Sequence, residues 1–387
     1  MQLKPEVQSL CDELRRFLAK EVDPRAMEIE ASDAIPADLH QKARDLGLFG
    51  LTIPEQYGGI GLDLAGKCAI EEVMGLTHYG FATVIGNHTG ISSTGIVALG
   101  NEAQKQKYLP RIAAGELRMQ SMAVTEPTTG TDTTKLKTTA TRRGNHFVLN
   151  GQKVWTSRVQ HSDLMIVLAR TTPIDQVRKK SEGLSVFLVD IAEAMNKGMT
   201  VRPIRNMVNH ETNEVFFDDL EVPAENMIGE ENKGFRIILE GLNAERVLIA
   251  AECIGDAYWF IDKASAYGKE RIVFDRPIGQ NQGIQFPIAK SHIATKAADA
   301  IRYQAAALHD AGLPYGTEAN MAKMLCSDAS WEAANACLQT HGGFGFAAEY
   351  DVERKFRETR LYQVAPISTN LILAYVGEHV LGLPRSY

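Results

Sequence analysis

The spacing of apolar residues changes period twice along this chain, and that change bounds the folds open to it. From residue 4 to about residue 117 the apolar positions recur at helical intervals, as in Leu10, Leu14, Phe17 and Leu18. Pro36, Pro54 and the Gly58-Gly59 turn break the run. From about residue 121 to 229 short β-rich runs take over: Phe147-Val148-Leu149 and Lys153-Val154-Trp155 about a turn at Asn150-Gly151, then 164–168, 184–189 and 215–217. After Gly234 the helical period returns near 235–270, 281–311 and 317–340, with a last segment over 369–381, lengths that suit a four-helix bundle. The pattern predicts an α+β chain with an all-helical N-terminal domain (1–120), an antiparallel β-sheet or small barrel (121–233) and a C-terminal helical bundle (234–387).

Size and charge narrow the function classes. A chain of 387 residues, 44% hydrophobic, can bury a large core. Its net charge of −7, with no basic block, argues against nucleic acid as the principal partner. Cys11, Cys68, Cys253, Cys326 and Cys337 are widely spaced without a Cys-x-x-Cys pair, which predicts buried, reduced thiols. The N-terminus is too polar for a targeting peptide, and no uncharged run reaches the roughly 18 residues of a membrane span. The expectation is a cytoplasmic protein without membrane insertion. Dinucleotide, phosphate-loop, serine-hydrolase and zinc-protease motifs are missing, and the histidines lack ligand spacing; His210-Glu211 reads as a solvated turn.

The most specific stretch is Met-Ala-Val-Thr-Glu-Pro-Thr-Thr-Gly-Thr-Asp at 122–132, followed by Val154-Trp155-Thr156-Ser157. Pro127 holds the residue before it extended, and Gly130 permits a turn, so a strand enters a polar loop. A flavin ring needs backbone donors and acceptors on one edge and an apolar wall on a face, which such a strand end with a nearby Trp can supply. Taken singly, Thr125 and Trp155 are equally ordinary sheet residues.

These segments resemble the flavin-binding strands of the acyl-CoA dehydrogenases. Further similar segments follow in chain order: 46–59 (LGLFGLTIPEQYGG), 101–110 (NEAQKQKYLP), 212–218 (TNEVFFD), Arg271-Ile272-Val273-Phe274 with Asn281-Gln282, and 339–346 (QTHGGFGF). The resemblance implies FAD as cofactor. Met122, Val124 and Thr125 would contact its ring, with Trp155 and Ser157 covering the other side. Arg271, Phe274, Gln282, Gln339, Gly342 and Gly343 would meet its diphosphate and adenosine, partly across a dimer interface, and Ser368 and Asn370 would hold it near the last helix. Asp275 departs from the family's Gly after the Phe. The implied reaction removes an α proton and a β hydride from an acyl-CoA thioester and passes electrons to an electron-transfer flavoprotein, in a homo-oligomer built as a dimer of dimers.

The resemblance also demands a carboxylate base. Pro366 stands where most members carry the Glu, and it also lacks the N–H that helps polarise the thioester carbonyl. A second arrangement, in isovaleryl-type and long-chain members, puts the Glu on a bundle helix. Gly241-Leu242-Asn243-Ala244-Glu245-Arg246-Val247 matches it, so Glu245 is the expected base; without the resemblance, Glu245 is equally an ordinary helix-surface acid. Asn243, Arg246 and Thr131 would contact the substrate, and Ala365, in place of a bulky Tyr, would leave room for a branched or alicyclic acyl chain. A flavoprotein oxidase or monooxygenase on the same fold, and a non-catalytic acyl-thioester-binding flavoprotein, remain as alternatives.

Overall fold

The computed structural model describes residues 3–208 and 211–386, without the side chains of 91, 92, 237 and 240. Seven helices come first: α1 (Pro5–Phe17), α2 (Ala26–Ser32), α3 (Ala37–Asp45), α4 (Leu64–Met74), α5 (Tyr79–Gly86), α6 (Ser93–Leu99) and α7 (Glu102–Ala113). Their apolar stripes meet in a core of Leu14, Leu39, Leu48, Ile70 and Phe81. Asn101 and Gln104 start α7 with reciprocal side-chain to backbone bonds of 2.9 and 3.0 Å.

The sheet follows: β1 (Ser121–Ala123), β2 (Thr139–Arg143), β3 (His146–Ser157), β4 (Leu164–Arg170), β5 (Leu184–Asp190), the short helix α8 (Ile191–Met195), β6 (Met199–Pro203), β7 (Thr212–Pro223) and β8 (Met227–Ile228). The order is β6-β7-β3-β2-β4-β5-β8, antiparallel except where β4 meets β1 and β2. The expected turn at Asn150-Gly151 is absent. β3 runs straight through it, and the hairpin turn is Gly144-Asn145, where Arg143 pairs with His146. Gly151, at φ +149°, lies in a bulge against β7, where an added Cβ would come within 2.5 Å of Thr138. The Asn150 amide bonds Asp219 on β7, so a dipeptide that favours turns here serves a cross-strand bond.

Three long helices, α9 (Gly234–Glu270), α10 (Gln282–Asp310) and α11 (Gly316–His341), form the C-terminal bundle, with α12 (Val352–Arg360) and α13 (Thr369–Tyr375) completing it. Between α9 and α10 lies a small hairpin of β9 (Ile272–Val273) and β10 (Arg276–Pro277). Sequence periodicity misses α12 because its inward residues, Arg354, Lys355 and Glu358, are ion-paired instead of apolar. All five cysteines are buried and free, as expected. No helix among the described residues is long and apolar enough to cross a membrane.

α4 crosses α9 at backbone contact. A Cβ on Gly75 would lie 2.2 Å from the Glu252 carbonyl oxygen, and one on Gly255 would lie 2.1 Å from that of Glu72. Alanine ordinarily favours a helix by ~1 kcal/mol over glycine. Here the added methyl must push two helices apart, and overpacking of this kind costs ~1–3 kcal/mol. Gly255→Ala is therefore expected to lower stability despite its better helix propensity, read as a lower urea midpoint at unchanged slope; a raised midpoint would refute the backbone contact.

Candidate functional site

The two halves of the specific motif lie side by side. The Val154 amide donates to the Thr125 carbonyl at 2.9 Å, and the Ser121 hydroxyl to the Ser157 carbonyl at 2.8 Å. Beneath them Lys153 donates to Glu126 at 2.9 Å and to the Val124 carbonyl at 3.0 Å. Glu126 also accepts the backbone amides of Lys137 and Thr138, at 2.6 and 2.9 Å. Burial tends to raise the Glu126 pKa, but Lys153 and these donors prevail and hold it below the ordinary value. The motif acid is thus a structural clamp, which residue type alone does not reveal.

At the edge of this clamp the register of β3 against β7 slips between Lys153 and Thr156, and Trp155 adopts φ +61°. The bulge turns the indole outward, 58% exposed, while Met122, Val124, Thr125 and Ser157 stay half-buried. Met122 and Val124 pack on the same apolar cluster as Ile238 and Leu242 of α9, which connects the strand end to the helix that carries Glu245. Thr131 lies exposed in the loop after the motif.

Glu245 is only 7% exposed, and among the described residues its Oε2 has no hydrogen-bond partner. Burial pushes its pKa up to about 7, against the pull of Arg246. Arg246 is buried too; its Nη1 donates to Asn243 Oδ1 at 2.5 Å, and among the described residues its Nε lacks a partner. The loop 364–368 contains a cis Ala365–Pro366 peptide, and the buried Lys323 of α11 donates to the Ile367 carbonyl at 2.9 Å. Lys323 was not foreseen, since a lone lysine in a helical run carries no sequence signal. Ser368 caps α13 through a bond from Leu371 N at 3.4 Å, and Asn370 is exposed on its first turn.

The remaining expected cofactor residues lie elsewhere. A cleft of about 760 Å³ gathers Arg271, Gly342 and Gly343 with Tyr267, His341 and Phe344. The Arg271 guanidinium stands 5.5 Å from the Phe344 ring centroid, and a Cβ at either glycine would meet nothing within 4 Å, so the cleft floor is open backbone. Phe274 (φ +51°) and Asp275 (φ +62°) form the two-residue turn of the β9–β10 hairpin; Asp275 accepts the left-handed backbone that glycine favours, and Phe274 projects, 93% exposed. Gln282 and Gln339 are exposed at helix ends.

His210 lies outside the described residues, and Glu211 is not solvated as expected. It is buried, and desolvation raises its pKa to about 7. One group of three potential metal ligands, Glu30, His78 and Glu358, comes together among the described residues. Each is already engaged: His78 Nε2 meets Glu30 at 3.1 Å, Arg357 binds Glu30 at 2.7 Å and Arg354 binds Glu358 at 2.7 Å. The group is an ion-pair network joining the N-terminal helices to α12.

Residues 4–116, 121–220 and 232–380 match, in order, the acyl-CoA dehydrogenase N-terminal, middle and C-terminal domains. The chain belongs to the acyl-CoA dehydrogenase family. It is 36% identical to an acyl-CoA dehydrogenase of Bacillus subtilis, over 95% of this chain and 96% of the relative. It is 33% identical to a cyclohex-1-ene-1-carbonyl-CoA dehydrogenase of Syntrophus aciditrophicus, over 98% and 91%. The structure of butyryl-CoA dehydrogenase from Megasphaera elsdenii superposes with a TM-score of 0.92 at 28% identity, covering 98% of this chain and 99% of that one. The protein is an FAD-dependent oxidoreductase of this family. Its own residues fit the cofactor: an exposed indole held out by a bulge beside a strand end, and a separate cleft joining a guanidinium to open glycine backbone.

The buried Glu245 gives a pH signature. Its folded pKa, about 7, lies above the ordinary 4.5, so the stability its proton contributes is complete below pH ~4.5 and is lost as pH rises through ~7. At ~1.4 kcal/mol per unit the ionised group costs about 3 kcal/mol. Glu245→Gln should match wild type in melting temperature below pH ~4.5, exceed it increasingly as pH rises to ~7, and hold that lead unchanged toward pH ~9. Parallel curves across that range would contradict the buried, unpaired carboxylate.

Proposed function

We propose that the protein dehydrogenates an acyl-CoA thioester to its 2-enoyl-CoA, with Glu245 as the base that takes the α proton and an electron-transfer flavoprotein as the electron acceptor. The observation that carries this reading is the buried carboxylate with an unpartnered oxygen, one turn beyond the Leu242 that packs with Met122 and Val124. FAD, when bound, supplies the acceptor for the β hydride. A carboxylate stripped of water is a stronger base than a solvated one, and Arg246 beside it limits the cost of its ionisation. Met122, Val124, Thr125, Trp155 and Ser157 are proposed to hold the ring, Ser368 and Asn370 to adjoin the cofactor, and Thr131, Asn243 and Arg246 to face the thioester side of the substrate.

Glu245→Gln keeps size and polarity but cannot accept a proton. It is expected to retain FAD and acyl-CoA binding while flavin bleaching by substrate slows by ~10²–10⁴-fold, the usual worth of a positioned base. Bleaching at the wild-type rate would assign the proton to another group.

Assembly follows from distance. Arg271, the residue that caps the C-terminus of α9, comes 26 positions after Glu245, ~39 Å along the helix axis at ~1.5 Å per residue. A five-carbon ribityl arm cannot span that length, so the Arg271–Gly343 cleft is proposed to serve the cofactor of a second chain, within a dimer of dimers. The outward Phe274, with Phe286 and Ile293 exposed on α10, supplies apolar surface for that contact. Gln282 and Gln339 belong to the same proposed contact.

The substrate reading rests on Ala365. Val364 beside it is 63% exposed and so does not fill the space that a larger side chain at 365 would take. An alicyclic or branched acyl group is the proposed occupant, in keeping with the relative that acts on a cyclohexene thioester. Ala365→Tyr is expected to lower kcat/KM for branched or ring acyl-CoAs by about tenfold while sparing linear ones of equal carbon number. Equal loss for both kinds would remove the argument.

A further inference from the structure

A second cleft, of about 430 Å³, lies between α3 and the β3–β4 turn, away from both the Glu245 region and the Arg271 cleft. Arginines outnumber acids in its lining by three to two: Arg44, Arg118 and Arg158 against Glu116 and Asp163. Arg158 is the unusual member. It is 3% exposed, and its backbone takes the left-handed conformation at φ +54°, its amide donating to the Glu211 carbonyl at 3.0 Å. Its Nε donates to Gln120 Oε1 at 2.6 Å, and among the described residues neither terminal guanidinium nitrogen has a hydrogen bond or an ion pair. Gln120 Nε2, also buried, has no partner either.

A buried guanidinium with two unused nitrogens is costly unless an anion completes it. The internal acids do not supply one. Asp163 is taken by Arg118, through its amide at 2.7 Å and its Nε at 3.4 Å. Glu211 meets His161 at 3.5 Å, and burial raises its pKa to about 7, so it carries only part of its charge at neutral pH. Glu211 and Asp33 act on Arg158 through their charges, with no ion pair to it among the described residues. His40 and His161, also in the lining, are held neutral by burial and by these same arginines, so each presents a neutral imidazole to the cleft.

We propose that this cleft binds a small oxyanion, the carboxylate or phosphate group of a small metabolite, on the two free nitrogens of Arg158, with Arg118 and Arg44 at its mouth. Planar guanidinium nitrogens match either group in a two-bond geometry. The cleft exceeds the ~30 Å³ share of one water many times over, so it admits a small organic anion as well as a bare ion. Arg158 directly follows Ser157, so occupancy would brace the strand end that carries Trp155 and Ser157.

The test is calorimetry on the FAD-loaded protein, in which the cofactor's own phosphate site is filled. Inorganic phosphate is titrated in one arm and acetate in the other, each against chloride at matched ionic strength. Saturable binding in one arm, weakened about tenfold or more by Arg158→Met, is expected, and the arm that binds names the group. Arg118 is only half-buried, its side chain 42% accessible, so Arg118→Gln is expected to keep the fold and to weaken binding severalfold even if Arg158→Met fails to fold. No saturable binding in either arm, or binding untouched by Arg118→Gln and Arg158→Met, overturns the proposal and leaves Glu211 as a distant internal counter-ion only.

Discussion

A buried carboxylate with an unpartnered oxygen survives inside a helical core only if the helix beneath it cannot rotate or separate to let water in, and much of this molecule serves that condition. α9 is fixed along its length by three kinds of contact. Near Glu245, Leu242 and Ile238 join the apolar cluster under β4 and β5. A few turns on, Gly75 and Gly255 bring the backbones of α4 and α9 together, leaving no slack between them. In the same region Asp256 pairs with Lys355 of α12 at 2.6 Å, both side chains buried. A buried pair of this kind adds little net stability, but breaking it would leave a charge in the core, so it resists any sliding of α12 along α9. Rigidity of this order lets burial, instead of a neighbouring charge, set the pKa of Glu245.

The sheet solves a different problem. The proposed ring-binding edge must offer backbone groups to a ligand without giving them to another strand, so the ladder has to end in a controlled way. The Lys153–Glu126 pair pins the chain after β1, and the bulge at Val154–Trp155 takes the indole out of the ladder. Both devices use polar or strained elements where a regular sheet would use alternating apolar residues. The pair is fully enclosed and saturated by backbone donors, which makes it a lock and excludes it from proton transfer.

How much of this was legible depends on what wrote it. The helix–sheet–helix division is carried by apolar periodicity, a local property, and the long helices fall within a few residues of where their stripes predict. Two features escaped for one physical reason: their inward faces are polar. α12 buries arginine, lysine and glutamate, and Lys323 reaches through the core to a carbonyl 44 positions away. Asn150-Gly151 misled because its turn preference is real but was outvoted by pairing on both sides of β3, which turned a hairpin signal into a bulge. For the proposed site, the sequence offers candidate residues but not their separations. The sequence puts Glu245 on the helix that Arg271 follows, and only the unbroken length of that helix shows how far apart the two lie.

The position of the acid also explains the loop that lacks one. A carboxylate in the 364–368 segment would have to be held by loop backbone, which is easily displaced. With Glu245 as the proposed base on a rigid helix, that loop is free of the task, and its groups are used structurally: Lys323 ties down the Ile367 carbonyl and Ser368 caps α13. Pro366, which can donate no backbone hydrogen bond, is tolerable in a segment that, on the proposed reading, does not carry the proton. The small Ala365 follows the same logic, since no neighbouring carboxylate needs a large side chain to orient it. On the proposed reading, placing the acid on the helix moves the demand for rigidity to α9, where the glycine crossing and the Asp256–Lys355 pair meet it, and the loop becomes the proposed part of the site that varies with the acyl group.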